Sequence, residues 1–304
     1  MRVLLLFPMA DGQTGSAIKY AFEQLGHEIK AVDAKLARPS EFYRYCCEFE
    51  PDLVFCSRTH QLTEDIITIK KWFKSITICI WNVDTRTNIN SWSRLFPLIE
   101  LCDHHFVVNE YHVTEWNERF KTKTTWLPQG LQDEVYDKPK EITDEDRKKY
   151  SCDVSFTGGG RSLRPPFLNA VKKMNVNFKK WGCSGMPKVY NEEHNKMVSL
   201  SKVNLGISRL YGNNIDKYIS VRDYKILGAG GFLLELYRKG INDIFPPDTM
   251  NDYEDPIHLL EQIAYWLNHE KERKEVAERG YKWVHKNATY THRIKRALEI
   301  MGLK

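Results

Sequence analysis

Short apolar runs alternate with stretches of helical period along nearly the whole chain. Residues 2–7 read RVLLLF, the near-continuous aliphatic run that a parallel strand covered on both faces requires. A Gly-containing loop over 8–15 leads into a helical stretch over 16–25. Gly26 ends that stretch, and 28–32 reads as the next strand. The rhythm continues with strands at 52–56, 76–81, 105–108 and 124–127, separated by helices at 40–49, 62–74, 91–101 and 110–120. Such alternation predicts a parallel sheet with helices on both faces.

Residues 132–150 (QDEVYDKPKEITDEDRKKY) are polar and charged and break the rhythm, which predicts an interdomain linker at 138–150. The rhythm then resumes. Strands are expected at 152–157, 176–182, 203–207 and 231–236, with helices at 165–174, 188–201 and 219–227. Three further helices, 256–268, 270–287 and 289–302, close the chain. The expected fold class is α/β: two doubly wound Rossmann-like domains, 1–137 and 151–304, facing across a cleft. The C-terminal tail is helical, and its last helix is expected to lean back on the first lobe. A length of 304 residues suits two domains of this size.

Composition narrows the class. With 42% apolar and 28% charged residues, 17 Gly and 12 Pro, the chain is neither collagen-like nor largely disordered. No apolar run approaches the ~20 residues that span a bilayer. Residues 1–9 lack the small-residue cleavage site of a signal peptide. The seven Cys include no CxxC pair, and Cys46 and Cys47 are adjacent, so reduced thiols in a cytoplasmic protein are expected. A net charge of +5 permits an anionic ligand without demanding nucleic acid.

Ligands of open α/β sheets sit beyond the carboxyl ends of the strands. There the most informative stretch is Phe156-Thr157-Gly158-Gly159-Gly160-Arg161-Ser162-Leu163-Arg164-Pro165. Glycines let backbone N–H groups approach a phosphate, Pro suits the first turn of a helix, and Arg clamps phosphate bidentately. The plainer reading is a tight turn with solvated arginines. A second stretch, Ser220 to Leu234, runs from polar residues at a helix start through Gly230-Gly231 into an apolar strand. By itself it is ordinary helix-to-strand punctuation. Asp144-Glu145-Asp146 spells DxD, but in a charged linker a solvated role outweighs a metal site. The ten His show no HExxH and no paired zinc spacing. Arg58, His60 and Asp84 each follow a first-lobe strand and could face the cleft, though for any one of them a structural role is a plainer reading than a catalytic one.

Taken together, Asn204-Leu205-Gly206-Ile207, Arg222-Asp223-Tyr224-Lys225-Ile226-Leu227-Gly228-Ala229-Gly230-Gly231-Phe232 and Gly240-Ile241-Asn242-Asp243-Ile244-Phe245 resemble the C-terminal signature of GT-B glycosyltransferases. The nearest group is the CgeB-like (spore maturation protein) one within the group 1 glycosyl transferases. Phe156-Thr157-Gly158 with Arg164, and the tail from His269 to Arg293, resemble it too. The likeness spans about 152–300. In the first lobe it is thinner, at Gly26-His27-Glu28, Trp81-Asn82-Val83-Asp84 and Trp126-Leu127-Pro128-Gln129-Gly130.

The resemblance implies a glycosyltransferase that takes a nucleotide-diphosphate sugar, a UDP-sugar, as co-substrate, with no metal or other cofactor. The diphosphate would meet Gly158, Gly159, Gly160, Arg161 or Arg164. Gly182 and its loop would lie near the base, and Arg209, Tyr218, Arg222, Asp223 and Lys225 near ribose and phosphate. The acceptor is open between glycan, protein, small molecule and modified nucleobase, with nucleic acid unsupported by any basic, aromatic stripe. Asp84 is the candidate catalytic base and His60 the next candidate. Related transferases often carry two glutamates where this chain has Lys217 and Lys225. Lys only donates, whereas a carboxylate accepts from ribose hydroxyls. Either Asp223 or Asp216 takes that role or donor recognition differs. The alternatives are a nucleotide-sugar epimerase of the same fold and a non-catalytic nucleotide-sugar-binding protein.

Overall fold

The aliphatic run at the start of the chain becomes β1 (Arg2–Phe7), and its residues from Val3 onward have no exposed surface. This is seen in a computed structural model that describes residues 1–303 except 11, 58, 87, 160–163, 183–185 and 209–215. The chain divides into two units, Met1–Pro128 with Tyr290–Lys304, and Gln129–Thr289.

In the first unit β1 is followed by α1 (Gly15–Gln24), β2 (Glu28–Asp33), α2 (Pro39–Phe49) and β3 (Leu53–Cys56). Next come α3 (Thr63–Trp72), β4 (Thr77–Asn82), α4 (Phe96–Leu101), β5 (His104–Val107), α5 (Val113–Arg119) and β6 (Thr124–Trp126). All strand pairs are parallel, in the order β2-β1-β3-β4-β5-β6. Parallel central strands are covered on both faces, which explains why β3 and, beyond Arg2, β1 are apolar and buried. The edge strand β2 instead alternates exposed and half-buried residues and carries Glu28 and Lys30.

The second unit contains α6 (Asp144–Tyr150), β7 (Cys152–Thr157), α7 (Pro165–Lys172), β8 (Phe178–Trp181), α8 (Asn191–Ser199) and β9 (Ser201–Gly206). It continues with α9 (Val221–Gly228), β10 (Leu233–Leu236), β11 (Asn251–Tyr253), α10 (Pro256–Asn268) and α11 (Glu270–Asn287). The sheet is again all parallel, in the order β11-β10-β9-β7-β8. The strand order reverses direction between β1 and β3 in one unit and between β7 and β9 in the other. These are the switch points at which sheets of this type form crevices for ligands.

Three expectations shift. The chain passes into the second unit after Pro128 rather than near residue 137, because Leu131 already bonds to Ala288 and pairs with Thr289. The 138–150 stretch is not a bare spacer. Its latter half is α6, opened by a capping box between Thr143 and Asp146, tied to α8 by Lys196 at 2.8 Å from Asp146, and closed by the buried Tyr150 ring. Asp146 of the DxD string is thereby spent on a helix start. The polar triplet of β11 carries no apolar run and escapes a hydrophobic pattern. The last helix, α12 (Tyr290–Met301), belongs to the first unit, where it packs on α1 and sets Tyr290 edge-on against Trp81.

Candidate functional site

The second unit holds a cavity of about 250 Å³ beyond the carboxyl ends of β7 and β8. Gly158 and Gly159 form its rim after β7. Trp181 and Gly182 line it after β8, and Val221, Arg222 and Lys225 project from α9. Gly158 has φ +137°, a conformation that L side chains rarely adopt, and a Cβ there would stand 2.9 Å from the Arg222 guanidinium. The backbone turn and the guanidinium therefore require glycine together.

Two arginines converge on this turn. Arg164, immediately before the Pro165 that opens α7, donates to the carbonyl oxygens of Gly159 at 2.6 Å and Ile207 at 3.2 Å. Arg222, in the first turn of α9, donates to the Thr157 carbonyl at 3.1 Å and to Ser208 Oγ at 3.4 Å. One arginine thus reaches from the end of β7 to Ile207 and the other to Ser208, so both span the switch point. Both guanidiniums also lie against the buried Phe156 ring, at 5.6 and 5.3 Å from its centroid. Burial and the neighbouring Arg222 charge lower the Arg164 pKa to about 10. Two like charges drawn together in a partly desolvated corner call for an anion. The first turn of α9, capped by Ser220, adds its positive end.

The arginines are held from behind by buried charges. Ser208 Oγ donates to Asp223 at 2.5 Å and accepts from the Ser220 N–H, and the Ser208 N–H donates to Glu235 at 3.0 Å. Asp223 also accepts from Arg222 at 3.4 Å. Arg238 donates to Glu235 and to the Ser208 and Tyr218 carbonyls. Asp223 and Glu235 have no exposed surface. Burial, with Asp223 next to it, pushes the Glu235 carboxyl well above the usual carboxylate range.

One helical turn along α9 from Arg222, Lys225 donates to the Tyr136 hydroxyl at 2.9 Å, and its ammonium lies 4.3 Å from that ring's centroid. The Tyr136 ring meets His194 edge-on at 5.3 Å. The Asn195 side chain holds the Val135 carbonyl at 2.8 Å and so fixes the segment that carries Tyr136. Burial lowers the Lys225 pKa to about 8 and the His194 pKa to about 3, so the imidazole is neutral.

The residues singled out from sequence thus divide. Gly158, Gly159, Gly182, Arg222 and Lys225 line the cavity, and Arg164 flanks it. Asp223 does not line it; it points into the charge network, because the residue after Arg222 is turned about 100° around the helix. Tyr218 contributes its carbonyl to Arg238. The two lysines separate, with Lys217 paired to Asp243 at 3.0 Å and Lys225 in the cavity. Asp216 faces Lys239 at 4.0 Å, near the surface. Gly160, Arg161 and Arg209 lie outside the described residues, as does Arg58. The sequence pattern did not single out Tyr136 and His194, although Tyr136, one of two aromatics in the charged 132–150 stretch, was a usable signal.

In the first unit Asp84 follows β4 and lines a small recess with Asn82, Trp92 and His112. That places it one strand away from the β1/β3 switch point. His60 opens a short turn after β3, is exposed, and stacks on Trp92 at 6.4 Å. The two residues belong to neighbouring strand ends. Among the described residues no group of three His, Cys, Asp or Glu side chains is placed to hold a metal ion, and no helix is long and apolar enough to cross a membrane.

This geometry agrees with what the chain is similar to. Residues 161–299 match the glycosyl transferase-like family. The match takes in Arg164, α9 and the Gly230-Gly231 turn, and so covers much of the cavity's cationic side. Solved structures match along the whole chain. HepE of Anabaena, in complex with UDP, has a TM-score of 0.66 at 9% identity, over 99% of this chain and 100% of its own. Sucrose-phosphate synthase of Thermosynechococcus elongatus has 0.71 at 10%, over 99% and 98%. An alpha-glucosyltransferase in complex with UDP and a 13-mer DNA containing an HMU base has 0.64 at 13%, over 99% of both chains. No curated protein sequence matches. The fold is GT-B: two parallel-sheet α/β units with a closing C-terminal helix.

The charge network should carry much of the second unit's stability. Arg238→Ala removes a buried cation that holds Glu235 and is expected to cost about 3–5 kcal/mol in chemical denaturation. Glu235→Gln keeps the shape and an oxygen that accepts from Ser208 N–H and Arg238, so its cost should be smaller. Equal costs would contradict this account of the network.

Proposed function

We propose that the protein is a CgeB-like glycosyltransferase that takes a UDP-sugar in the second unit's cavity and transfers the sugar to an acceptor hydroxyl held by the first unit. The observation that carries the reading is the convergence of Arg164 and Arg222 on Gly158 at the switch point, where their partners at the turn are carbonyl oxygens. A diphosphate would accept from both guanidiniums and from the first turn of α9. When the bond from the sugar to the β-phosphate oxygen breaks, negative charge collects on the leaving diphosphate. Cations already fixed in place stabilise that charge without reorganising. In this reading no resident metal takes part. The family match and the transferases among the similar structures favour transfer over epimerisation. The chemistry of the first unit is assigned to Asp84, with His60 second. Asp84 would accept the acceptor's proton if transfer inverts configuration, and would orient the acceptor if transfer retains it.

Lys225 is proposed to face the nucleoside. A Lys there, beside a phenol and a neutral imidazole, reads acceptor atoms such as ribose oxygens or base carbonyls. It does so where a carboxylate would have read hydroxyl protons.

Isothermal titration with UDP, GDP, ADP and dTDP, with and without EDTA, checks the donor reading. UDP is expected to bind equally in both conditions, and binding by none of the four overturns the reading. Arg164→Ala and Arg222→Ala should each weaken UDP by about 1.5–3 kcal/mol, as for lost charged hydrogen bonds. Unchanged affinity in both variants would remove the arginines from the site.

The Lys225 assignment has its own pH signature. Its ammonium is charged below its lowered pKa of about 8 and neutral above it. UDP affinity should therefore decline as pH rises through 8, and Lys225→Met should flatten that decline. A parallel decline in the variant would assign it to another group.

Asp84→Asn keeps size and hydrogen-bonding reach but cannot act as a base. With UDP binding unchanged, turnover of a UDP-sugar should fall by about 10²–10⁴-fold if Asp84 is the base. Full turnover in this variant ends its catalytic part.

A further inference from the structure

A second cavity of about 240 Å³ lies in the same unit, at the amino ends of β9 and β10, the edge opposite the donor site. Ser199, Lys202, Gly231 and the first two turns of α11, with Glu270, Arg273 and Lys274, line it. Arg273 is 6% exposed, yet its one side-chain hydrogen bond goes from Nη1 to the Trp266 carbonyl. Among the described residues no carboxylate stands within salt-bridge distance of it. The two nearby acids are each tied to another cation: Asp153 to Lys202 at 2.8 Å, and Glu270 to Lys274 at 2.5 Å. Three cations and one carboxylate, Glu270, thus line the cavity, with Asp153 outside its lining. A buried charge without a partner is costly, and an arginine cap on one carbonyl uses one of five N–H donors.

We propose that this cavity is an anion site separate from the donor site, and that it takes a compact phosphate monoester. A phosphate dianion offers three acceptor oxygens. The Arg273 fork can take two, and Lys202 and Lys274, both exposed at the mouth, can turn toward the third. The remaining volume accommodates a small polar body next to Ser199 and Gly231. The inference uses no part of the transferase reading, because none of these residues lines the first cavity.

Titration calorimetry on the full chain tests it, with ribose 5-phosphate and inorganic phosphate as probes, ribose as the uncharged control, and UDP present in excess. Ribose 5-phosphate is expected to bind, and ribose is not. Arg273→Gln should weaken binding at least about tenfold, the loss of a buried charged hydrogen bond. Because Arg273 also caps α10, the exposed pair Lys202→Ala/Lys274→Ala provides a second reading, with a loss of about two- to fivefold. Binding that both variants leave unchanged, or that UDP displaces, overturns the proposal. So does binding of inorganic phosphate without the ester.

Discussion

A guanidinium can serve at the floor of a pocket only if anions hold it from behind without capping the face that meets the ligand. In the second unit that condition is met around Ser208. Its hydroxyl and backbone bring Asp223 and Glu235 together under Arg222, while Arg238 balances them from the far side. Two carboxylates at such close quarters fit only because residue 206 is glycine: a Cβ there would stand 1.7 Å from a Glu235 oxygen. The end of β9 therefore cannot carry a side chain, and the arginine site depends on that vacancy.

The same constraint explains why the two arginines come from different elements. Arg164 is delivered by the loop after β7 and Arg222 by the helix after β9, and the sheet order sets those elements on either side of one switch point. Each arginine is tied by carbonyl oxygens of the opposite strand end, so the strands themselves set the spacing of the charges. Phe156 lies under both and excludes water from the floor without neutralising either. Such charges are worth more to a bound anion than solvated ones, since neither has to be gathered when the ligand arrives.

How much of this was legible follows from which contacts are local. β1, β7 and the helices at 256–268 and 270–287 declare themselves, because burial on both faces or a long periodic stretch leaves a pattern in consecutive residues. Gly158, Arg164 and Arg222 were legible as a strand, turn and helix start. The Lys225–Tyr136 bond was not, because 89 positions separate its partners and Tyr136 lies in a stretch whose composition reads as spacer. Asp223 illustrates the opposite error. Its neighbours mark a binding helix, but one residue's rotation about the axis turns it from the cavity to the core. The capping box of α6 shows a third case, in which a DxD string that suggests metal chemistry is consumed by helix geometry.

Lys225 brings these threads together. In a carboxylate's place a lysine reverses the direction of hydrogen bonding, so whatever meets it must offer lone pairs. Its surroundings support that reversal. Tyr136 supplies a ring face and a hydroxyl oxygen, both of which favour a cation, and neutral His194 adds no competing charge. Desolvation works against the ammonium and brings its pKa near the working pH, so the charge is retained with little to spare. A ligand group that accepts from Lys225 would restore part of the lost solvation, whereas a hydroxyl presenting only its proton would leave the ammonium unsatisfied. Arg222 and Lys225 stand one turn apart on α9, so one wall of the cavity carries a guanidinium fixed by the sheet and a titratable ammonium beside it. A ligand that met both would have to offer acceptor groups about one helical turn apart.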